Sequence, residues 1–220
     1  TGFTSIFKNI GSVCNQGVDI MVNGAPIQGD DFTWSSTLNL NYNKNEILAL
    51  SDTNADVYLY DWVGGGSVLR VGESMGSFWG LERKGVYTLE DYKAGACEKT
   101  QIGRAKRSDE KTIIGKGLPD WTGSWINNFS YKNFDLTIQL NYSLGGKIYD
   151  NIYAGMMHDG ATTAQNMHVD ALEAWTTPGQ HTNVPKYAVN NATNSASLSS
   201  RFLYDATNVK LKTITLSYTL

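Results

Sequence analysis

The feature that most constrains this chain is an unbroken alternation in FDLTIQLNYSL, Phe134 to Leu144. Phe134, Leu136, Ile138, Leu140, Tyr142 and Leu144 fall on one side, and Asp135, Thr137, Gln139, Asn141 and Ser143 on the other. Successive side chains of a strand point to opposite faces, so this pattern specifies a strand with one apolar and one wholly polar face. Phe129 and Tyr131 continue the scheme upstream, across a two-residue turn at Lys132-Asn133. Trp34, Ser36, Leu38, Leu40 and Tyr42 form a second strand of the same type, and Val18, Ile20 and Val22 mark a third that begins as early as Asn9. Gly11 and Gly17 within it predict bulges or tight bends. Val209 and Leu211 are in one phase and Ile214, Leu216, Tyr218 and Leu220 in the other, which a bulge near Lys212 reconciles. Two architectures satisfy such strands: a soluble sheet with one face on a core, or a barrel wall between lipid and water.

Composition narrows the function classes more than the fold. Charged residues are 18% of the 220, against the usual quarter, while there are 22 Gly, 12 Tyr and 6 Trp. That bias suits a wall with lipid on one side and water on the other, and equally a secreted sugar-binding sandwich. A net charge of -3 offers no general attraction for nucleic acid. The single basic run, Arg104 to Arg107, is followed by Asp109 and Glu110 and is expected to be a solvated loop. Cys14 and Cys97 show no pairing motif and are expected to be free thiols. Thr1-Gly2-Phe3-Thr4 lacks the basic and apolar regions of a signal peptide, and no apolar run approaches the ~18 residues of a membrane helix. A barrel needs no such run, because its strands carry only alternate apolar residues.

Between the strands the pattern is uneven. Ala25 to Asp31 is expected to be a turn, and from Asn43 to Gly72, through Gly64-Gly65-Gly66, the alternation dissolves. Ser74 to Tyr87 is expected to be a strand kinked at Gly80, and 88–118 irregular apart from a short strand at Thr112 to Ile114. The connection from Gly146 to about Ser200 is far longer than ordinary links. Within it, Thr162 to Trp175 predicts a helix capped by Thr162 or Thr163 and stopped before Pro178-Gly179. Tight turns alternating with very long loops are the habit of bacterial outer-membrane barrels.

Several stretches, in order, resemble the SusC/RagA-like TonB-dependent outer-membrane transporters of Bacteroidetes. They are NIGSVCNQGVDI (Asn9 to Ile20), FTWSSTLNLNYNKNEI (Phe32 to Ile47), GESMGSFWG (Gly72 to Gly80), Asp109 to Asp150, ALEAWTTPGQHTNVPKY (Ala171 to Tyr187) and Arg201 to Leu220. The resemblance implies an all-β fold, with residues 1–220 a partial, antiparallel transmembrane β-barrel from the C-terminal part of about 22 strands, with long extracellular loops and a short loop helix. It implies localisation in the outer membrane and uptake of a bulky nutrient, an oligosaccharide or peptide. Energy would come through TonB acting on a plug region, and a SusD-like surface lipoprotein would form the lid. The plug and the final strands of the family pattern are missing from these residues. Tyr92 to Ser108 also replaces an Asp-rich, calcium-loop-like segment of relatives.

No motif for covalent chemistry stands out, so no enzyme activity and no cofactor are expected. His158, His168 and His181 are spaced by ten and thirteen residues, unlike zinc ligands, and Gly64-Gly65-Gly66 lacks the Lys-Ser/Thr of a phosphate loop. Asp170 and Glu173 fall on one side of the expected helix, a solvated face. Trp62, Trp79, Trp121 and Trp175 could stack on sugars or belong to the aromatic girdles of a barrel. Trp34, Trp125 and Tyr142 are expected in the girdles. Trp62, Trp175 and Tyr187, in long loops, are the candidates for contact with cargo or lid. Asn39, Asn41, Asp135, Gln139 and Asn141 are expected to line a hydrated lumen, and the even-numbered residues Phe134 to Leu144 to face lipid. Lys132-Asn133 would be periplasmic, and 44–73 and 145–200 extracellular. The alternative is a soluble extracellular carbohydrate-binding β-sandwich, which would bury its apolar faces against a second sheet.

Overall fold

A computed structural model describes residues 2, 9, 11–60, 66–162, 165–189 and 199–220. In chain order its strands and helices are β1 (Gly11–Gln28), β2 (Phe32–Leu50), β3 (Val57–Tyr60), β4 (Gly66–Leu69), β5 (Ser77–Val86) and α1 (Leu89–Lys93). They continue with β6 (Ala105–Lys116), β7 (Trp121–Tyr131), β8 (Phe134–Leu144), β9 (Lys147–Tyr149), α2 (Asn151–Met156), β10 (Leu203–Asp205) and β11 (Asn208–Tyr218). Every sheet pairing between these strands is antiparallel. No helix among the described residues is long and apolar enough to cross a membrane, which leaves spanning by strands untouched.

The principal sheet runs β1-β2-β7-β8-β11. Its register keeps the predicted faces in phase across the strands: Val22, Leu38, Trp125, Leu140 and Leu211 form one apolar rung. The polar rungs alternate with it, one of them joining Asn39, Ser124 and Asn141. The expected bulge appears as a register shift between Leu211 and Thr213. Another shift, between Ser12 and Val13, lies beside Gly11. Gly17 is needed for closeness rather than for a bend, since a Cβ there would run into the carbonyl of Tyr42 on the neighbouring strand.

The apolar face ends in aromatic rungs. Phe32, Tyr131, Phe134 and Tyr218 line up at the turn end, with Phe134 and Tyr218 centroids 4.8 Å apart, and Tyr42 meets Trp121 at 4.9 Å at the other end. From Phe32 to Tyr42 the strand rises about 33 Å, or about 25 Å along the barrel axis at the usual tilt. That is the height of a bilayer-facing band. Trp125 and Tyr142 sit inside this band rather than at its edges, a correction to their expected girdle position. Tyr142 instead lies across Gly123, where a Cβ would come within 2.5 Å of its Cζ, and donates its hydroxyl to the Asn39 carbonyl at 2.7 Å. Two polar intruders on the apolar face, Ser36 and Asn127, accept the indole N–H groups of Trp125 and Trp34 at 2.8 and 3.0 Å. An indole that turns its ring to an apolar medium still needs an acceptor for its one donor.

No second sheet covers this apolar face among the described residues. Ile20 is 47%, Val22 56%, Leu211 56% and Leu216 68% exposed, so the sandwich alternative, which requires those side chains to be buried, does not hold. The arrangement is a partial barrel wall.

The connections are segregated by end. Residues 29–31 and 132–133 turn tightly at one end, with Lys132 in the left-handed region at φ 50°. The two long insertions, 51–120 between β2 and β7 and 145–207 between β8 and β11, both leave from the other. Here the structure departs most from the sequence pattern. β1 continues through Ala25 to Gln28, where a turn was expected, and β2 runs on to Leu50, well beyond Asn43. The first insertion carries a four-stranded sheet, β3-β4-β5-β6, and β6 has 12 residues rather than three. Register shifts at Phe78/Trp79 and Leu81/Arg83 flank Gly80 without centring on it. In the second insertion, the described part of Thr162 to Trp175 forms no α-helix. It holds a five-residue 3-10 helix, Val169–Glu173, whose N-cap is His168.

Candidate functional site

The two insertions lock together above the sheet. Ser200 Oγ accepts from the Arg83 backbone N–H at 2.8 Å, the Arg83 Nη2 donates to the Asn183 carbonyl at 2.8 Å, and Lys186 N–H donates to the Gly103 carbonyl at 2.7 Å. Leu81 and Ser199 form an isolated parallel bridge. Beneath the seam is a small core of Ala154, Met157, Val184 and Phe202, edged by Tyr149 and Tyr153. Beside it Arg201 pairs with the buried Asp159 at 2.6 Å. Burial and the neighbouring guanidinium of Arg201 push the Arg83 pKa down to about 10, still far enough above neutrality to keep it charged. Its Nε has no partner among the described residues.

A groove of about 470 Å³ opens along this seam. Lys84, Gly85, Val86, Thr88, Asp91 and Lys106 line it from the first insertion, and Trp175, Gln180, His181, Thr182 and Asn183 from the second. Its aromatic floor depends on a glycine. Gly103 has φ +81°, and a Cβ there would stand 2.8 Å from Cδ2 and 2.9 Å from Cζ3 of Trp175, so the indole lies against bare backbone. Half-buried in this way, Trp175 has its backbone N–H bound to the Val184 carbonyl at 3.0 Å.

The polar walls are largely held by bonds within the protein. Gln180 Oε1 accepts from the Thr176 N–H at 2.8 Å, and Thr182 Oγ1 donates to the Glu173 carbonyl at 2.8 Å. Asp91 closes the capping box of α1 with Thr88 and takes the Lys106 ammonium at 2.6 Å. That hydrogen bond from Lys106 is the chief reason its carboxyl stays below the usual carboxylate range, and it raises the lysine in return. Lys106 also lies 5.6 Å over the Tyr87 ring. The basic run is therefore built into β6 and its approach, not a solvated loop. Lys84, an exposed residue of the lining, has no ion-pair partner among the described residues.

The predicted site residues separate into two places. Asn39, Asn41, Asp135, Gln139 and Asn141 share the polar face of the principal sheet, cross-linked by Asn39 to Ser124 at 2.9 Å, Gln139 to Asn141 at 3.0 Å and Ser130 to Asp135 at 2.6 Å. Trp175 floors the groove, whereas Tyr187, 47% exposed, lies outside its lining. Trp62 lies outside the described residues. Trp121 is drawn into the aromatic rung with Tyr42, and Trp79 lies under the Arg70 guanidinium at 4.8 Å. The groove's other residues carried no local signal: Lys84, Gly103 and Asn183 belong to stretches without periodicity and meet only through the tertiary fold.

His158, His168 and Asp170 have structural contacts. His158 is buried, its Nδ1 accepting from the Gly160 N–H at 3.1 Å, and His168 Nδ1 accepts from the Asp170 N–H at 3.2 Å. The Asp170 carboxylate accepts from the Tyr153 hydroxyl at 2.7 Å, so it does not form a solvated pair with Glu173. Burial, helped by that bond, pushes Tyr153 up to about 12. Among the described residues no cluster of three His, Cys, Asp or Glu side chains could hold a metal ion, and Cys14 and Cys97 are unpaired.

No family model matches the chain. Individual proteins do. It is 31% identical, over its whole length, to TonB-dependent receptor P3 of Formosa agariphila and 27% identical to TonB-dependent receptor P39 of the same organism. It is 26% identical over 96% of its length to TonB-dependent receptor SusC of Bacteroides thetaiotaomicron. The chain spans about a quarter of these relatives, 23%, 25% and 21% respectively. Among solved structures, the RagAB peptide importer in its closed-closed state superposes on 99% of the chain with a TM-score of 0.74 at 25% identity, matching 24% of that chain. A second structure of the RagAB peptide transporter gives 0.76 at 24% identity. With the two-faced sheet, its aromatic margins and insertions gathered at one end, these likenesses make the chain a homologue of the SusC-like TonB-dependent receptors, corresponding to part of their β-barrel.

Proposed function

We propose that this chain is part of an outer-membrane, TonB-driven importer of a bulky nutrient, an oligosaccharide or peptide, that works with a SusD-like surface lipoprotein. The observation that carries this reading is the segregation of the molecule. A sheet with an exposed apolar face and a hydrogen-bonded polar face joins two large, mutually docked insertions at one end only. A barrel wall needs the first, and capture of cargo before translocation needs the second. In this reading Asn39, Asn41, Asp135, Gln139 and Asn141 line the hydrated lumen, and the tight turns at 29–31 and 132–133 are periplasmic. The insertions are extracellular. The protein moves its cargo by a change of access and makes no bond in it.

Contact with the lid and contact with the cargo fall to different residues of the second insertion. Val169 and Leu172, three apart in the 3-10 helix and so on one side of it, are 68% and 86% exposed. Exposed apolar side chains of this size on an otherwise polar surface suit a protein partner. Trp175, recessed at the groove, suits cargo, and Tyr187 lies on the open surface near it. The test uses the full-length receptor in cells lacking the native gene. Leu172→Asp should reduce co-purification of the lid lipoprotein while the barrel stays in the outer membrane, and Trp175→Ala should slow uptake with the lid still associated. Uptake that persists without the receptor gene, or after uncoupling TonB, would sink the importer reading.

A further inference from the structure

We propose that the groove between the insertions is a charge-reading subsite for an oligosaccharide, holding one sugar ring against Trp175 and that ring's carboxylate or sulfate against Lys84. The inference rests on the importer reading and adds a ligand class and a specificity residue to it. Three observations carry it. The floor is a single indole flattened on Gly103, whose φ of +81° and lack of a side chain permit the approach. A flat aromatic beside polar groups is the arrangement that accepts the C–H face of a sugar while its hydroxyls find hydrogen bonds. Apart from Trp175, only Val86 offers the lining a large apolar side chain, so the groove has no row of apolar sockets for the side chains of a peptide.

The charge balance supplies the third observation. Asp91 and Lys106 offset one another at 2.6 Å, and the Asp91 carboxylate also accepts from the Thr88 N–H at 2.9 Å. Lys84 remains as the ammonium without a partner among the described residues, on the same groove as Trp175. Lysine binds an anion as a point charge with three rotatable donors, and it tolerates either a carboxylate or a sulfate in that place. An acidic sugar therefore gains the ion pair in addition to the stacking, and a neutral sugar gains the stacking alone. Gln180 and Thr182, tied back to the backbone at Thr176 and Glu173, hold the wall in shape before the ligand arrives. A preformed wall spares the ligand the cost of ordering it.

The experiment uses the purified full-length receptor with its lid. Carboxylated oligosaccharides (galacturonate, guluronate and glucuronate series) are each titrated beside their methyl esters, and sulfated galactan oligosaccharides beside their desulfated forms, so that each pair keeps the ring and removes the charge; a mixed peptide library is titrated alongside. At least one charged sugar should bind more tightly than its neutral form. Lys84→Gln should abolish that preference while leaving the affinity for the neutral form unchanged, and Trp175→Ala should weaken charged and neutral forms alike by roughly tenfold. Trp175→Phe should restore part of the loss, which separates stacking from folding. Equal binding of charged and neutral forms, a preference that survives Lys84→Gln, binding of peptides alone, or no binding of any of the series would each overturn the proposal. A receptor that imports peptides but ignores the sugars leaves the importer reading standing and removes the subsite. One that binds acidic sugars yet imports nothing does the reverse.

Discussion

The principal sheet and the paired insertions solve opposite problems. In the sheet the large apolar residues point outwards, with Val22, Leu211 and Leu216 more than half exposed, and the polar side chains cross-link the other face. In the insertions a small group of apolar residues is buried, with Met157 and Phe202 fully enclosed, and an ion pair sits beside them, while others such as Leu172 remain exposed. The difference shows what each region leans on. On the proposed importer reading, the sheet takes its stability from backbone ladders and a surrounding lipid medium, whereas the insertions hold together in water through a small core and a few long-range polar ties. Small cores are the easier to break.

The largest effect is expected at Asp159, in the ion pair of the second insertion. Asp159→Ala leaves Arg201 buried without its carboxylate, an error that costs about 3–5 kcal/mol in such pairs. Hydrogen exchange on the full-length receptor should show lost protection through residues 147–188 and unchanged protection in β7 and β8. Loss spreading through the sheet would mean that the two regions fold as one unit.

The next effect belongs to the sheet. Leu140→Arg, in the middle of the apolar band, should cost about 2–4 kcal/mol, whereas Arg at the neighbouring Gln139 should be mild, measured by unfolding the full-length barrel in detergent or lipid. Equal costs at the two positions would remove the distinction between faces on which the barrel reading depends. Because the register sets every side chain of a strand together, this one pair of variants tests the whole sheet.

A smaller effect sharpens the description of the seam. Gly103→Val pushes a side chain into the Trp175 ring and strains a backbone at φ +81°, for a cost of about 1–3 kcal/mol. Indole fluorescence should shift towards that of a solvated tryptophan, and cargo affinity should fall with no change in the sheet. The smallest effect is a matter of pH. The Asp91 carboxyl is held below its usual range by Lys106 and the Thr88 N–H, so its contribution is present above the unfolded carboxylate pKa near 4 and is lost as pH falls through the lower folded value. Proteolysis near α1 should rise only under strong acidification, and Asp91→Asn should remove that dependence.

Much of the sheet was visible in the sequence, for a local reason. Strand periodicity is written in neighbouring residues, and the Phe134 to Leu144 alternation, the Lys132-Asn133 turn and the bulge near Lys212 all reappear in the structure. The girdle was harder, because whether an aromatic marks the edge or the middle of a band depends on which rungs it pairs with. Trp125 pairs with Leu38 and Leu140 and is central. The end of β2, the full length of β6 and the 3-10 helix at Val169 were not legible, since their sequences carry mixed patterns and tertiary contacts decide their state.

Which residues form strands with one apolar and one polar face could be read from the residue order, because alternation needs only the covalent geometry of the strand and a medium for each side. The same order also determined that turns would be short and insertions long. Only the tertiary structure decided that β2 pairs with β7 across the 70 residues of the first insertion, that both insertions rise from one end, and that Trp175 comes to lie on Gly103. Those choices depend on closing long loops around a few buried groups, a cost and a reward shared among residues far apart in the chain and written in no single stretch of it.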